Sequence, residues 1–261
     1  MIFHFKDFAP IDLDKLNGIA KEAGKQILSI YNLLPEDMKV TLKDDQSPLT
    51  AADSLSHEII FKQLTALTPH IPIISEEGKD IPYDTRKNWE YFWCVDPLDG
   101  TKEFIKHNGE FTVNIALINK NVPVLGIIYI PVTQELFYGG ESIGAWKETA
   151  DGTITRLYAD KTSTEWIAAG SRSHASPEET ALLSLYPIKE TIAVGSSLKF
   201  CLIAEGRAHI YYRHGPTMEW DTAAGQAIAT YSGAIMTSPH GEPFLYNKPS
   251  LLNSGFLVKA K

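Results

Sequence analysis

The chain has 261 residues, a formal net charge of −8 at pH 7 and 44% hydrophobic residues, enough to bury a large core and ordinary for a soluble enzyme. The negative balance, with no basic tract, argues against polymeric nucleic acid as a partner. Cys94 and Cys201 form no C-x-x-C unit, the start Met1-Ile2-Phe3-His4-Phe5-Lys6-Asp7 lacks a signal-peptide pattern, and no apolar stretch approaches the roughly 20 residues that span a bilayer. These features predict reduced thiols in a cytoplasmic protein and leave a peripheral association with the cytoplasmic face of the inner membrane open.

In chain order, Leu13, Leu16, Ile19, Ala20, Ala23, Ile27 and Ile30 recur at helical spacing behind a capping Asp12. A strand is expected at Lys39 to Lys43, a polar turn at Asp44 to Pro48, and a second helix from near Asp53 to about Leu67. Strands follow at Ile71 to Ile74 and Tyr91 to Val95. Phe111 to Ile118, Val122 to Ile130 and Glu135 to Gly140 then read as an antiparallel meander rich in β-branched and aromatic residues. The polar stretch Lys147 to Lys161, with Asp151-Gly152 inside it, is the expected boundary between a unit at 1–160 and one at 161–261. Beyond it, strands at Trp166 to Ala169, Ile192 to Val194 and His209 to Tyr212 alternate with helices at Glu178 to Leu185, Ser197 to Glu205 and Thr222 to Tyr231. No internal repeat or low-complexity segment is present.

The segment that carries chemistry is Asp96-Pro97-Leu98-Asp99-Gly100-Thr101, directly after the strand-like Tyr91-Phe92-Trp93-Cys94-Val95. Pro97 restricts φ to about −65° and Gly100 tolerates backbone geometry closed to other residues, so the chain can turn and aim both carboxylates at one point. Thr101 to Ile105 can open a short helix whose first N–H groups face the same point and favour an anion. An all-oxygen, carboxylate-rich site suits Mg²⁺ and a phosphate ligand. Glu76, at the end of the apolar run Ile73-Ile74-Ser75, Asp221, where an Ala-rich helix begins, and Asp53, near another helix start, each add a carboxylate at the end of an element. Read singly, these three remain a surface acid and two helix caps.

Taken together and in order, Thr50-Ala51-Ala52-Asp53, Glu76-Glu77, Asp96 to Thr101 and Trp220-Asp221-Thr222-Ala223-Ala224-Gly225 resemble the lithium-sensitive, magnesium-dependent phosphatase superfamily of inositol monophosphatases, fructose-1,6-bisphosphatases and bisphosphate nucleotidases. Within it the chain is most similar to the bacterial 3'(2'),5'-bisphosphate nucleotidases of the CysQ type. The matching segments are Asp99 to Phe104, Ser171-Arg172-Ser173-His174, Gly195 to Cys201, and Tyr212 to Thr217 leading into Glu219-Trp220-Asp221.

The resemblance implies a mixed α/β fold, α+β in the N-terminal part and α/β in the C-terminal part. It implies a five-layered α-β-α-β-α sandwich with the site between the two parts. Glu76, Asp96 and the Leu98 carbonyl would hold one Mg²⁺, and Asp96, Asp99 and Asp221 a second; a third, weaker ion near Glu76 stays open. Thr101 and Asp53 would activate water, with Glu76 counted among the catalytic residues. Gly100 and Thr101 N–H groups would hold the departing phosphate beside Lys102. Lys199 and Arg213 would hold the uncleaved phosphate with Ser196, Ser197 and His174, while Glu76, Asp99 and Asp221 meet substrate as well as metal. The implied reaction converts 3'-phosphoadenosine 5'-phosphate to AMP and phosphate in sulfur metabolism, with the 5'-sulfated relative as an alternative substrate. An inositol or sugar phosphatase on the same metals, and a catalytically idle nucleotide sensor, are the competing readings. Oligomeric state is left open.

Overall fold

The computed structural model describes residues 1–6, 9–33, 40–42, 48–171 and 176–260. The first amphipathic stripe forms helix α1 (Leu13–Tyr31), capped by Asp12, whose carboxylate accepts from the Asp14 N–H. Helix α2 (Ala51–Leu67) begins at Thr50 in a capping box, so Asp53 stands at its third position and not at its head. The Thr50-x-x-Asp53 spacing was the signal for that box. Ahead of α2, Val40–Leu42 pairs antiparallel with Pro48–Thr50. The flanking residues of the predicted strand, Lys39 and Lys43, and the turn before Pro48 lie outside the described residues.

Both helices pack on one face of a seven-stranded sheet formed by β1 (Ile73–Ser75), β2 (Tyr91–Asp99), β3 (Thr112–Asn119), β4 (Val122–Ile130), β5 (Glu135–Gly140), β6 (Gly144–Glu148) and β7 (Ile154–Arg156). Neighbours run in reverse chain order from β7 to β1, antiparallel except for the parallel β1–β2 pair. The predicted meander is therefore the centre of this sheet. Strands β6 and β7 were not expected: they form an edge hairpin that enters the polar stretch at Lys147 and turns at Asp151-Gly152. Because β7 is exposed along its length, no apolar alternation marks it. Helix α3 (Tyr83–Arg86) precedes β2, and α4 (Thr101–Ile105) follows it.

The second sheet holds β8 (Trp166–Ser171), β9 (Ile188–Val194), β10 (Ile210–Arg213), β11 (Ala234–Thr237) and β12 (Phe256–Ala260), in the order β9-β8-β10-β12-β11. Strands β9, β8 and β10 are parallel, whereas β12 pairs antiparallel with β10 and β11. Strand β12 escaped sequence reading because Phe256, Leu257 and Val258 are all buried, so no period of two appears. Helices α6 (Leu198–Ala204) and α7 (Glu219–Ser232) lie between the two sheets, and α5 (Pro177–Leu183) covers the outer face of the second. The layers are thus α1/α2, sheet, α6/α7, sheet, α5, the expected five-layered sandwich.

Phe200, Ile203, Ala223, Ala224 and Ile228 join both sheets in one apolar core, and burying a side chain of Phe or Ile size contributes about 1.5–3 kcal/mol. The Ala-rich face of α7 lies flat against β4. A Cβ on Gly126 would collide with the Ala224 carbonyl and the Ala227 methyl, so this close approach depends on glycine. It sets the height at which the first turn of α7 meets the first sheet.

Candidate active site

Strand β2 does not stop at Val95. It continues through the motif to Asp99, pairing Asp96 with Asn114 and Asp99 with Thr112, with a bulge between. Three steps on β2 thus span two on β3, and the extra residue re-aims the strand. The Leu98 N–H donates to Asp96 Oδ1 at 3.0 Å, and the Ser56 hydroxyl donates to the Pro97 carbonyl at 2.7 Å, pinning the bulge to α2. Gly100 then takes φ 93°, and α4 starts at Thr101.

The bulge brings four carboxylates within electrostatic reach. Asp96 is 1% exposed; burial pushes its carboxyl well above the usual range, reinforced by Glu76, Asp99 and Asp221, and Glu76 shares a hydrogen bond with it. Burial also pushes Asp221 well up, with Asp99 adding to the effect, although the Met218 N–H donates to its Oδ2 at 2.8 Å. Asp99 is raised by burial against the opposing pull of Ser196, Lys199 and Asn114. Among the described residues no three His, Cys, Asp or Glu side chains close into a finished metal cage. What the geometry provides is buried, mutually repelling oxygen donors, whose charge a hard divalent cation would relieve. The donor set fits Mg²⁺.

Beside this cluster, the Thr101 hydroxyl donates to Asp53 Oδ1 at 3.2 Å. The other oxygen, Asp53 Oδ2, accepts from both the Thr50 N–H at 2.8 Å and the Thr50 hydroxyl at 2.6 Å. The capping box of α2 therefore orients the carboxylate toward Thr101, so one residue serves helix and site together.

Across the cleft, Lys199 and Arg213 line the same cavity, of about 170 Å³, as Asp99, Gly100, Ser196 and Asp221. Lys199 does not sit on a solvated helix face. It is 5% exposed, its ammonium donates to the carbonyls of Ser196 at 2.6 Å and Val194 at 3.2 Å, and burial pushes it down to about 8. Arg213 lines the cavity, and its buried Nε has no hydrogen-bond partner among the described residues.

Other expected substrate contacts fall elsewhere. Lys102 is exposed and is not among the residues lining this cavity. The Ser197 hydroxyl is buried, bonds Asn114 Oδ1 and Thr112, and does not line this cavity. Ser196 lines the cavity, but its hydroxyl donates to Asp99 Oδ2 at 2.6 Å. His174 lies outside the described residues. Sequence reasoning missed Thr112 and Asn114, whose signal was a pair of polar residues two apart at the start of a strand that is apolar from Ile115 to Ile118.

The fold and the clustered carboxylates define a metal-dependent phosphatase class, and the chain belongs to the inositol monophosphatase family, which it matches over residues 12–260. It is 45% identical over 247 residues to the 3'(2'),5'-bisphosphate nucleotidase CysQ of Salmonella typhimurium, covering 94% of this chain and 98% of that protein. The Haemophilus influenzae protein of the same name is 34% identical over 250 residues, covering 94% of this chain and 91% of its own length. The crystal structure of CysQ from Bacteroides thetaiotaomicron, a bacterial member of the same family, superposes with a TM-score of 0.81 at 42% identity, covering 95% of this chain and 97% of that one. The suhB protein of Bartonella henselae matches at 0.79 and 23% identity over 95% of this chain and 93% of its own, which shows the fold alone.

Proposed function

We propose that this protein is a Mg²⁺-dependent 3'(2'),5'-bisphosphate nucleotidase that removes the 3'-phosphate of 3'-phosphoadenosine 5'-phosphate, releasing AMP and phosphate in sulfur assimilation. The observation that carries this reading is the pairing, in one cavity, of the carboxylates Asp99 and Asp221 with the cations Lys199 and Arg213, in a chain 45% identical to nucleotidases of that name. One group faces the phosphate that leaves; the other suits the phosphate that stays.

Glu76, Asp96, the Leu98 carbonyl, Asp99 and Asp221 would hold two Mg²⁺ ions, with a third, weaker one near Glu76. Bound there, the metal supplies charge neutralisation and an acidified water. The remaining work falls to side chains. Because the Thr101 hydroxyl proton points at Asp53 Oδ1, its lone pairs are left to accept from the attacking water, and Asp53 is the base that can draw the proton through Thr101. Gly100 and Thr101 present backbone N–H groups to the departing phosphate. Arg213, which lines the cavity, would hold the 5'-phosphate, and Lys199 adds charge behind the Gly195-Ser196 turn. The 1–160 part carries most of the metal ligands, and the 161–261 part supplies Asp221 and the specificity cations. No helix among the described residues is long and apolar enough to cross a membrane, and both cysteines are buried free thiols, which suits a reducing cytoplasm.

The test is phosphate release with Mg²⁺ from 3'-phosphoadenosine 5'-phosphate, inositol 1-phosphate and fructose 1,6-bisphosphate, compared by kcat/KM. A large preference for the nucleotide supports the reading. Preference for either sugar phosphate discards the nucleotide pocket and keeps the metal site, and nucleotide binding without turnover makes the protein a sensor.

A further inference from the structure

Thr112 and Asn114 sit on β3 directly opposite Asp99 and Asp96, and both are fully buried. Thr112 Oγ1 lies 2.7 Å from the Ser196 hydroxyl and 2.8 Å from the Ser197 hydroxyl. Ser196 Oγ is 2.6 Å from Asp99 Oδ2, which Asn114 Nδ2 also approaches at 3.4 Å. Proton counting gives this chain a direction. An ionised carboxylate only accepts, so the single Ser196 proton goes to Asp99. Ser196 must then accept from Thr112, while Ser197 gives its one proton to Asn114 Oδ1 at 2.8 Å. Each hydroxyl that receives a proton becomes a stronger donor to the next, so the polarisation accumulates at Asp99.

The backbone of the serine turn is held under strain to make these contacts. Ser196 has φ 50°, a left-handed conformation that costs a non-glycine residue of order 1 kcal/mol or more. The turn is anchored from two further sides. The Gly195 N–H donates to Glu110 Oε2 at 2.8 Å, and Lys199 Nζ donates to the Ser196 carbonyl. Gly100 completes the fit: a Cβ there would lie 3.3 Å from Ser196 Cβ.

We propose that Thr112 is a positioning residue for the reaction: as the donor that heads the chain Thr112–Ser196–Asp99, it holds Asp99 in the orientation that receives Mg²⁺. The inference rests on the reading of Asp99 as a metal ligand. It also gives Ser196 a role different from direct contact with the substrate phosphate. Thr112 does not itself line the cavity.

Thr112→Val removes the hydroxyl at nearly constant volume, and Thr112→Ser restores it without the methyl. Mg²⁺ binding is measured by calorimetry without substrate, alongside the Mg²⁺ concentration for half-maximal turnover and the unfolding temperature of the metal-free protein. In Thr112→Val, both Mg²⁺ measures are expected to weaken about 10-fold or more, the usual range for residues that orient a metal ligand, with the unfolding temperature little changed. Thr112→Ser should return both to near wild type. Mg²⁺ binding within twofold of wild type in Thr112→Val overturns the proposal, as does equal weakening in Thr112→Ser, which would make the methyl group the cause. If Thr112→Val does not fold, Ser196→Ala removes the link between Thr112 and Asp99 and must weaken Mg²⁺ binding in the same direction, or the proposal fails. Failure of the wild-type protein to bind Mg²⁺ would instead sink the metal site itself.

Discussion

Arg86 and Asn247, 161 residues apart in the chain, exchange hydrogen bonds in both directions: Arg86 Nη1 donates to Asn247 Oδ1 at 2.8 Å, and Asn247 Nδ2 donates to the Arg86 carbonyl at 2.8 Å. The same guanidinium also donates to the carbonyls of Ile81, Lys248 and Pro249. The next link is Glu219, fully buried at the head of α7, which accepts from the backbone N–H groups of Asn247 and Lys248 and from the Lys248 ammonium at 2.6 Å. Arg86 therefore ties the segment that follows Glu76 to the helix turn that carries Asp221.

Replacing Arg86 with Met should strip the buried Asn247 Oδ1 and three part-buried carbonyls of their donor at once. At about 1–3 kcal/mol for each unsatisfied group, the loss is expected to reach about 3 kcal/mol or more, a fall in Tm of roughly 6–12 °C for a chain of this size. Thermal unfolding by circular dichroism checks it. A fall below about 2 °C would show that water replaces the strap without penalty.

The carboxylate cluster predicts an inverse pH dependence for the metal-free protein. Asp96 and Asp221 have raised folded-state pKa values, so the native state retains protons that the unfolded chain releases above about pH 4. Stability must then fall as pH rises from there toward the folded values. Chelated protein should unfold at progressively lower temperature between pH 5 and pH 8, and Mg²⁺ should restore it. Asp96→Asn should flatten the fall and abolish turnover; an unchanged slope in that variant refutes the account, and near-wild-type activity refutes the ligand assignment.

Thr101→Val should lower kcat about 10²–10⁴-fold, the range for loss of a proton-transfer partner, while leaving Mg²⁺ binding near wild type. Thr101→Ser should recover most of the rate. A parallel loss of Mg²⁺ affinity in calorimetry would assign Thr101 to metal organisation instead of water activation.

Arg213→Gln should raise KM for 3'-phosphoadenosine 5'-phosphate about 10-fold or more, since a charged hydrogen bond is worth about 1.5–3 kcal/mol, with little change for a nucleoside monophosphate. Equal losses on both substrates would remove the specificity role. This variant is cleaner than Lys199→Ala, which also strips two backbone carbonyls of their donor.

Lys199 has its own pH signature. Its ammonium is held at about 8 against an ordinary 10.5, so KM for the bisphosphorylated nucleotide should rise above about pH 8 as the charge is lost. Its effect on stability has the opposite sense. Between about 8 and 10.5 the unfolded chain holds a proton that the native state has released, so this residue makes the fold more stable as pH rises through that window. A Lys199→Met variant should lack both trends; a KM that stays flat to pH 9 in the wild type argues that the bound phosphate restores the charge.

Local chemistry was legible in the sequence because it depends on short spacings. Asp96-Pro97-Leu98-Asp99-Gly100-Thr101, the helical stripe of α1, and the β-branched and aromatic runs of β3, β4 and β5 each announce their conformation through residues a few positions apart. The order of the acidic segments was enough to identify the family and, through it, the layered fold. Tertiary structure decided the rest, since burial and hydrogen-bond partners depend on segments distant in the chain. It alone shows that Lys199 is buried and carbonyl-bound, that Ser197 faces Asn114 and not the cavity, that Thr112 stands across from Asp99, and that Arg86 reaches Asn247. Strands β7 and β12 were hidden for a related reason. An exposed edge and a strand buried on both faces lack the alternation that sequence periodicity can detect, and only the neighbouring strand makes them visible.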